Sequence, residues 1–84
     1  MKATVTVRLK SGVLDPQGAA VHAALASLGF AQVGDARVGR VIELDLATED
    51  AAEARALLEQ MCARLLANPV MEEYAFTLGA QEAR

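Results

Sequence analysis

Few residues in this chain are of types that do chemistry. His22 is the only histidine and Cys62 the only cysteine. A lone histidine makes no histidine-based metal site. A lone cysteine makes neither an intrachain disulfide nor a cysteine-based metal cluster. A nucleophilic cysteine needs a base or an electropositive setting beside it. Cys62 falls instead among Leu58, Met61 and Leu65, in an apolar stripe where cysteine acts as a small hydrophobe. His22 lies beside an apolar stripe and not within it, which makes it a boundary histidine. Two acidic pairs remain. Glu49-Asp50 stands where a helix begins and is explained by capping. Glu72-Glu73 lies on a strand, where neighbours point to opposite faces, so the two carboxylates do not share a proton or a metal. Ser11-Gly12-Val13-Leu14-Asp15-Pro16-Gln17-Gly18 lacks both the Gly-Lys-Ser/Thr end of a P-loop and the spacing of a dinucleotide fingerprint. Asp15 would also repel a phosphate there. Val38-Gly39-Arg40 reads as a turn. No convergent catalytic set emerges.

The composition narrows the classes further. Eight Lys and Arg are set against eleven Asp and Glu, for a net charge of -3. Nucleic-acid binders carry clustered basic residues, and the scattered ones here argue against a nucleic-acid partner and against a polybasic membrane anchor. From Pro16 to Gly34 there is no charged side chain. Gln17, His22, Ser27 and Gln32 together with three glycines make this a helix buried on one side, not a membrane span. The alternating N-terminus is unlike a signal peptide, and a single cysteine suits a reducing compartment. Length predicts one domain over residues 1–84, with an ordered core of about 3–78. A domain this small gains stability by burying surface against a partner.

The elements follow from periodicity. Ala3, Val5, Val7 and Leu9 alternate with Thr4, Thr6 and Arg8, which predicts a half-buried strand. Asp15-Pro16 opens a helix as N-cap and first residue. Val21, Ala24, Leu25 and Leu28 give it one apolar face, and Gly29 stops it. Residues 31–38 form a weaker strand with a bulge at Gly34, joined as a hairpin to a clearer strand over 41–47. Thr48 or Asp50 caps a second helix, with Ala54, Leu57, Leu58, Met61, Cys62 and Leu65 inward. Asn68-Pro69 ends it. A last strand puts Val70, Glu72, Tyr74, Phe76 and Leu78 on one face. A polar tail from Gly79 frays.

The order is βαββαβ. Two one-sided helices on one face of a four-stranded antiparallel sheet give the α+β, ferredoxin-like arrangement. The other face carries Thr4, Thr6, Arg8, Lys10, Glu43 and Asp45, and is either solvated or a partner surface. An RNA-binding domain of this fold would show aromatics there. Tyr74 and Phe76 instead belong to the core side.

Two junctions carry a resemblance. Lys10-Ser11-Gly12-Val13-Leu14-Asp15-Pro16-Gln17-Gly18 resembles the strand–helix junction of the PurS family. Leu65-Leu66-Ala67-Asn68-Pro69-Val70-Met71-Glu72 resembles its helix–strand junction. Leu28-Gly29-Phe30, Arg37-Val38-Gly39-Arg40, Met61 and Cys62 are similar to it too, although lysine is more usual at Arg40. The resemblance implies a non-catalytic small subunit of phosphoribosylformylglycinamidine synthase, in the cytoplasm. It implies a homodimer or tetramer that bridges a PurQ-type glutaminase and a PurL-type synthetase and supports ammonia transfer. It implies no cofactor in this chain, with ATP and Mg in the synthetase. Leu14, Asp15, Pro16, Gln17, Gly18, Asn68 and Pro69 are the candidate partner-contact residues, and Gln17, exposed in the first turn, is the most informative probe. An ACT-type sensing domain of the same fold, with its ligand near the first strand–helix loop, is the alternative.

Overall fold

The alternation of Ala3, Val5 and Val7 with Thr4, Thr6 and Arg8 makes β1 (Lys2–Leu9) the middle of the sheet. The structure is a computed structural model that describes residues 1–79. After β1 come α1 (Pro16–Ser27), β2 (Arg40–Asp45) and α2 (Ala51–Met61). A π-helical turn (Cys62–Leu66) continues α2, and β3 (Glu72–Leu78) follows. The strand order is β2-β1-β3, with both pairings antiparallel. Ala3 lies between Leu44 and Leu78, and Val5 between Ile42 and Phe76. These rows form the floor of the core. Val5 and Val7 are fully buried, as are Ala54, Leu58 and Cys62 of the helix above them.

The caps are the ones the sequence implies. Asp15 is the N-cap of α1 with Pro16 after it, and its Oδ1 accepts from Gly18 N at 2.9 Å. Gly29 follows the helix with φ 99°. Its N–H donates to Ala26 O and that of Phe30 to Leu25 O, the paired bonds of a Schellman ending. Of the two candidates for the second helix, Asp50 is the cap and accepts from Ala52 N at 2.9 Å. Thr48 supports it by accepting from Asp50 N.

The sheet has three strands among the described residues, not four, and residues 31–38 form no ladder. The backbone donors such a strand would use are held locally. Asp35 Oδ1 accepts from Ala36 N, and Asp15 Oδ2 accepts from Val38 N, each at 2.9 Å. Side-chain acceptors of this kind compete with strand pairing. The expected hairpin through Gly39 is therefore absent, and β2 pairs with β1 alone. The second expected helix is α-helical only to Met61, and Ala67 N reaches back five residues to Cys62 O. The last strand begins at Glu72 and not Val70, because Met71 N and Glu72 N both donate to Asn68 O and fold 68–71 into a turn. Gly79 N bonds Lys2 O, and the rest of the expected frayed tail lies outside the described residues.

The helices are placed unequally. α2 packs against β3, and Tyr74 O–H donates to Glu59 at 2.7 Å. The Tyr74 and Phe76 rings lie near-parallel with centroids 6.5 Å apart on that covered side. α1 packs on no strand or helix to a comparable extent, contrary to the expected pair of helices on one face. The chain measures 48 × 31 × 14 Å with a radius of gyration of 15.9 Å, against about 12 Å for a compact chain of this length.

Candidate partner-contact site

Both junctions meet at one end of the sheet. Lys10 N donates to Met71 O at 2.9 Å and Lys10 Nζ to Pro69 O at 3.0 Å. The loop after β1 is thereby sewn to the loop before β3. Asp15, 8% exposed, takes Gly18 N and Val38 N on its two oxygens, with Arg37 Nε 3.9 Å away. The Gly18 and Val38 amides, with a smaller contribution from Arg37, hold its carboxyl below the ordinary range. Gly18 leaves room for the Ala36 carbonyl, which stands where a Cβ would be. Arg37 Nη2 donates to the carbonyls of Leu9 and Lys10, both at 3.1 Å.

The second half is built on Glu72. Arg40 Nη1 and Nη2 donate to its two oxygens at 2.9 and 3.2 Å, and Nη2 also reaches Leu66 O at 2.6 Å. Asn68 N donates to Glu72 Oε1 at 2.7 Å. The Arg40 hydrogen bonds, then that of Asn68, keep the Glu72 carboxyl low. Asn68 Oδ1 accepts from Val70 N at 3.0 Å, which shapes the turn at Pro69. Glu73 points the other way and pairs with Arg8 at 3.0 Å, as strand parity requires.

Of the candidate residues, the structure brings Asp15, Pro16 and Gln17 to one cleft of about 230 Å³ with Gly39, Arg40 and Glu72. Gly18 backs the cleft through Asp15. Asn68 and Pro69 adjoin it through Glu72 and Lys10. Leu14 stands outside it, 80% exposed, beside a more open groove of about 440 Å³ that reaches His22 and Arg37. The smaller cleft lies below the size that encloses a small ligand. Leu14, Leu65, Val70 and Met71 are all exposed around these junctions, an apolar rim suited to a protein surface. The residues that do most of the joining, Lys10, Arg37, Arg40 and Glu72, belong to the quoted motifs but give no sign in sequence of pairing with one another.

The remaining candidates for chemistry are accounted for. Cys62 is buried, and burial pushes its thiol up, away from the reactive thiolate. His22 is half-buried and its Nε2–H donates to Val33 O at 2.9 Å. No group of three or more metal-ligating side chains occurs among the described residues. No helix there is long and apolar enough to cross a membrane.

The chain matches the family model described as PurS, phosphoribosylformylglycinamidine (FGAM) synthase, over residues 2–80. It is 45% identical over 78 residues to the phosphoribosylformylglycinamidine synthase subunit PurS of Synechocystis, covering 93% of this chain and 78% of that one. Its fold is similar to crystalline PurS of Methanocaldococcus jannaschii, described as one of the subunits of formylglycinamide ribonucleotide amidotransferase. The TM-score is 0.84 at 37% identity, over 96% of this chain and 98% of the other. A chain of the PurLQS structure from Thermotoga maritima is also similar, with a TM-score of 0.82 at 32% identity, over 90% of this chain and 93% of that one.

Proposed function

The chain belongs to the PurS family of phosphoribosylformylglycinamidine synthase subunits, in purine biosynthesis, and we propose that it serves that enzyme by fixing its partners, without chemistry of its own. Working in the cytoplasm as a homodimer or tetramer, it bridges a synthetase and a glutaminase. ATP and Mg are bound by the synthetase and not by this chain. Ammonia released from glutamine is lost to water, or protonated, unless its path is enclosed. A small rigid subunit that sets two active sites at a fixed separation answers that need.

One observation carries the reading. The two junctions converge on one end of the sheet, held by Lys10, Arg37, Arg40 and Glu72 and rimmed by exposed apolar side chains. Gln17 lines the cleft between them, which makes it the side chain that best probes partner contact there.

The test is formation of formylglycinamidine ribonucleotide by the cognate synthetase and glutaminase, with and without this chain, using glutamine or ammonium as nitrogen donor. Activity on glutamine requires the chain, whereas activity on ammonium largely survives its omission. If omission changes neither, the bridging role is wrong. Gln17→Ala lowers the affinity of the chain for the complex; an unchanged affinity rules that side chain out.

A further inference from the structure

The core side of the sheet ends in an ion pair. By strand parity Arg40 precedes Ile42 and Leu44 in their row, and Glu72 precedes Tyr74 and Phe76 in theirs. Both stand on the side that elsewhere carries the partly buried apolar side chains. β1 runs between them, so the arginine reaches across two strand spacings, roughly 9–10 Å. The Glu72 side chain is 15% exposed and that of Arg40 49%. An apolar pair would close this end of the core as well. Replacing a desolvated ion pair by apolar residues of like volume is often neutral or stabilising. Stability alone does not account for charges in these two places.

What an apolar pair would not supply is direction. The buried stripe of α2 steps from Ala54 to Leu58 to Cys62 and then, through the π-helical turn, five residues to Ala67. That step leaves Leu65 outward and brings the helix to its end at Leu66. Carbonyls at a helix end look for partners outside the helix. Arg40 Nη2 takes Leu66 O, and the same guanidinium holds both oxygens of Glu72. Glu72 Oε1 in turn takes Asn68 N. One planar fork therefore fixes the helix end, the turn after it and the start of β3 against each other, with the geometric specificity of a bidentate pair. Lys10 holds the far side of the same turn through Pro69 O and Met71 O. Leu65, Val70 and Met71, the exposed apolar side chains of this segment, take their aim from it.

We propose that Arg40, acting through Glu72, is a positioning residue for the partner-contact end, one that sets the aim of residues 65–71 and that the fold itself does not need. The inference rests on the bridging reading above. The test titrates the full chain into the cognate synthetase and glutaminase and follows activity on glutamine. Arg40→Met combined with Glu72→Leu melts within about 5 °C of the parent. It nevertheless needs at least about ten times as much chain for half-maximal activity, with an unchanged plateau. Arg40→Lys keeps a charged donor and stays within about threefold of the parent. Hydrogen exchange of the amides in residues 67–72 quickens about tenfold in the double variant, while the amides of β1 hold. Half-maximal activity at the parent's concentration, or equal protection of the turn, overturns the proposal. So does a lysine variant as poor as the double one, and so does a large loss in melting temperature, which would make the pair structural. If the parent chain itself is dispensable for activity on glutamine, the bridging reading falls and this inference with it. A required parent chain with an indifferent double variant overturns the positioning role alone.

Discussion

Replacing Gly18 with alanine sets two effects of opposite sign against each other. Gly18 lies in the first turn of α1 with ordinary helical geometry. On helix propensity alone, alanine would stabilise by up to about 1 kcal/mol. The surroundings say otherwise. A Cβ at residue 18 would stand 2.8 Å from Asp15 Oδ2 and 3.0 Å from its Cγ, and closer still to the Ala36 carbonyl. That carbonyl is backbone, and Val38 beyond it is held by the same Asp15. The neighbour cannot turn away without loosening the clamp. Overpacking of this kind costs about 1–3 kcal/mol, so the net effect is a loss of roughly 1–2 kcal/mol. For a domain of this size that lowers the melting temperature by about 5–15 °C. Thermal unfolding followed by circular dichroism, at one chain concentration, measures it. Ala19→Gly, next along the helix and exposed, serves as the propensity control at about 1 kcal/mol. A Gly18→Ala variant that melts higher than the parent refutes the close approach and leaves glycine there as a defect of propensity.

Acid should act through the two held carboxyls. Asp15 and Glu72 both titrate below their ordinary values when folded. Their contribution is therefore full above the unfolded pKa and lost as pH falls through the folded one. Stability stays level from about pH 7 to 5 and declines below about pH 4. Asp15→Asn and Glu72→Gln each flatten that decline, and an identical acid limb in both variants would contradict the assignment. In the core, Leu58→Ala costs about 2–5 kcal/mol in urea unfolding, since Leu58 is fully buried. Leu65→Ala, expected inward from its spacing but exposed because it lies in the π-helical turn after α2, changes stability by less than about 0.5 kcal/mol. Similar losses at both positions would mean that the inward face of α2 is misassigned.

Much of the fold was legible because it rests on local rules. The alternation in β1, the Asp15-Pro16 start, the Gly29 stop and the Asp50 cap each depend on residues a few positions apart. The opposite destinations of Glu72 and Glu73 follow from strand parity alone. The expected fourth strand is absent because its fate is decided at a distance. Val33 and Val38 have suitable side chains, but Asp15 takes the Val38 N–H from far earlier in the chain. The placement of α1 was equally hidden, since an apolar stripe looks the same whether its floor is its own sheet or another surface. In the candidate site the junction motifs could be picked out one by one. Their meeting could not, because Lys10 with Pro69 and Arg40 with Glu72 join residues that no spacing rule relates.

The central position of β1 also bears on synthesis. The strand made first lies between two that come later, and it reaches one of them only at the end: residue 3 pairs with residue 78. Once β2 emerges, β1 can form one of its two pairings and must then present a bare edge, with Val5 and Val7 uncovered, while residues 46–78 are added. At about 5–20 residues per second this lasts roughly 2–7 s. Pairings so far apart also slow folding itself. The nascent chain therefore passes through an adhesive stage that ends only when residue 78 has left the ribosome, and its subunits can assemble only after that.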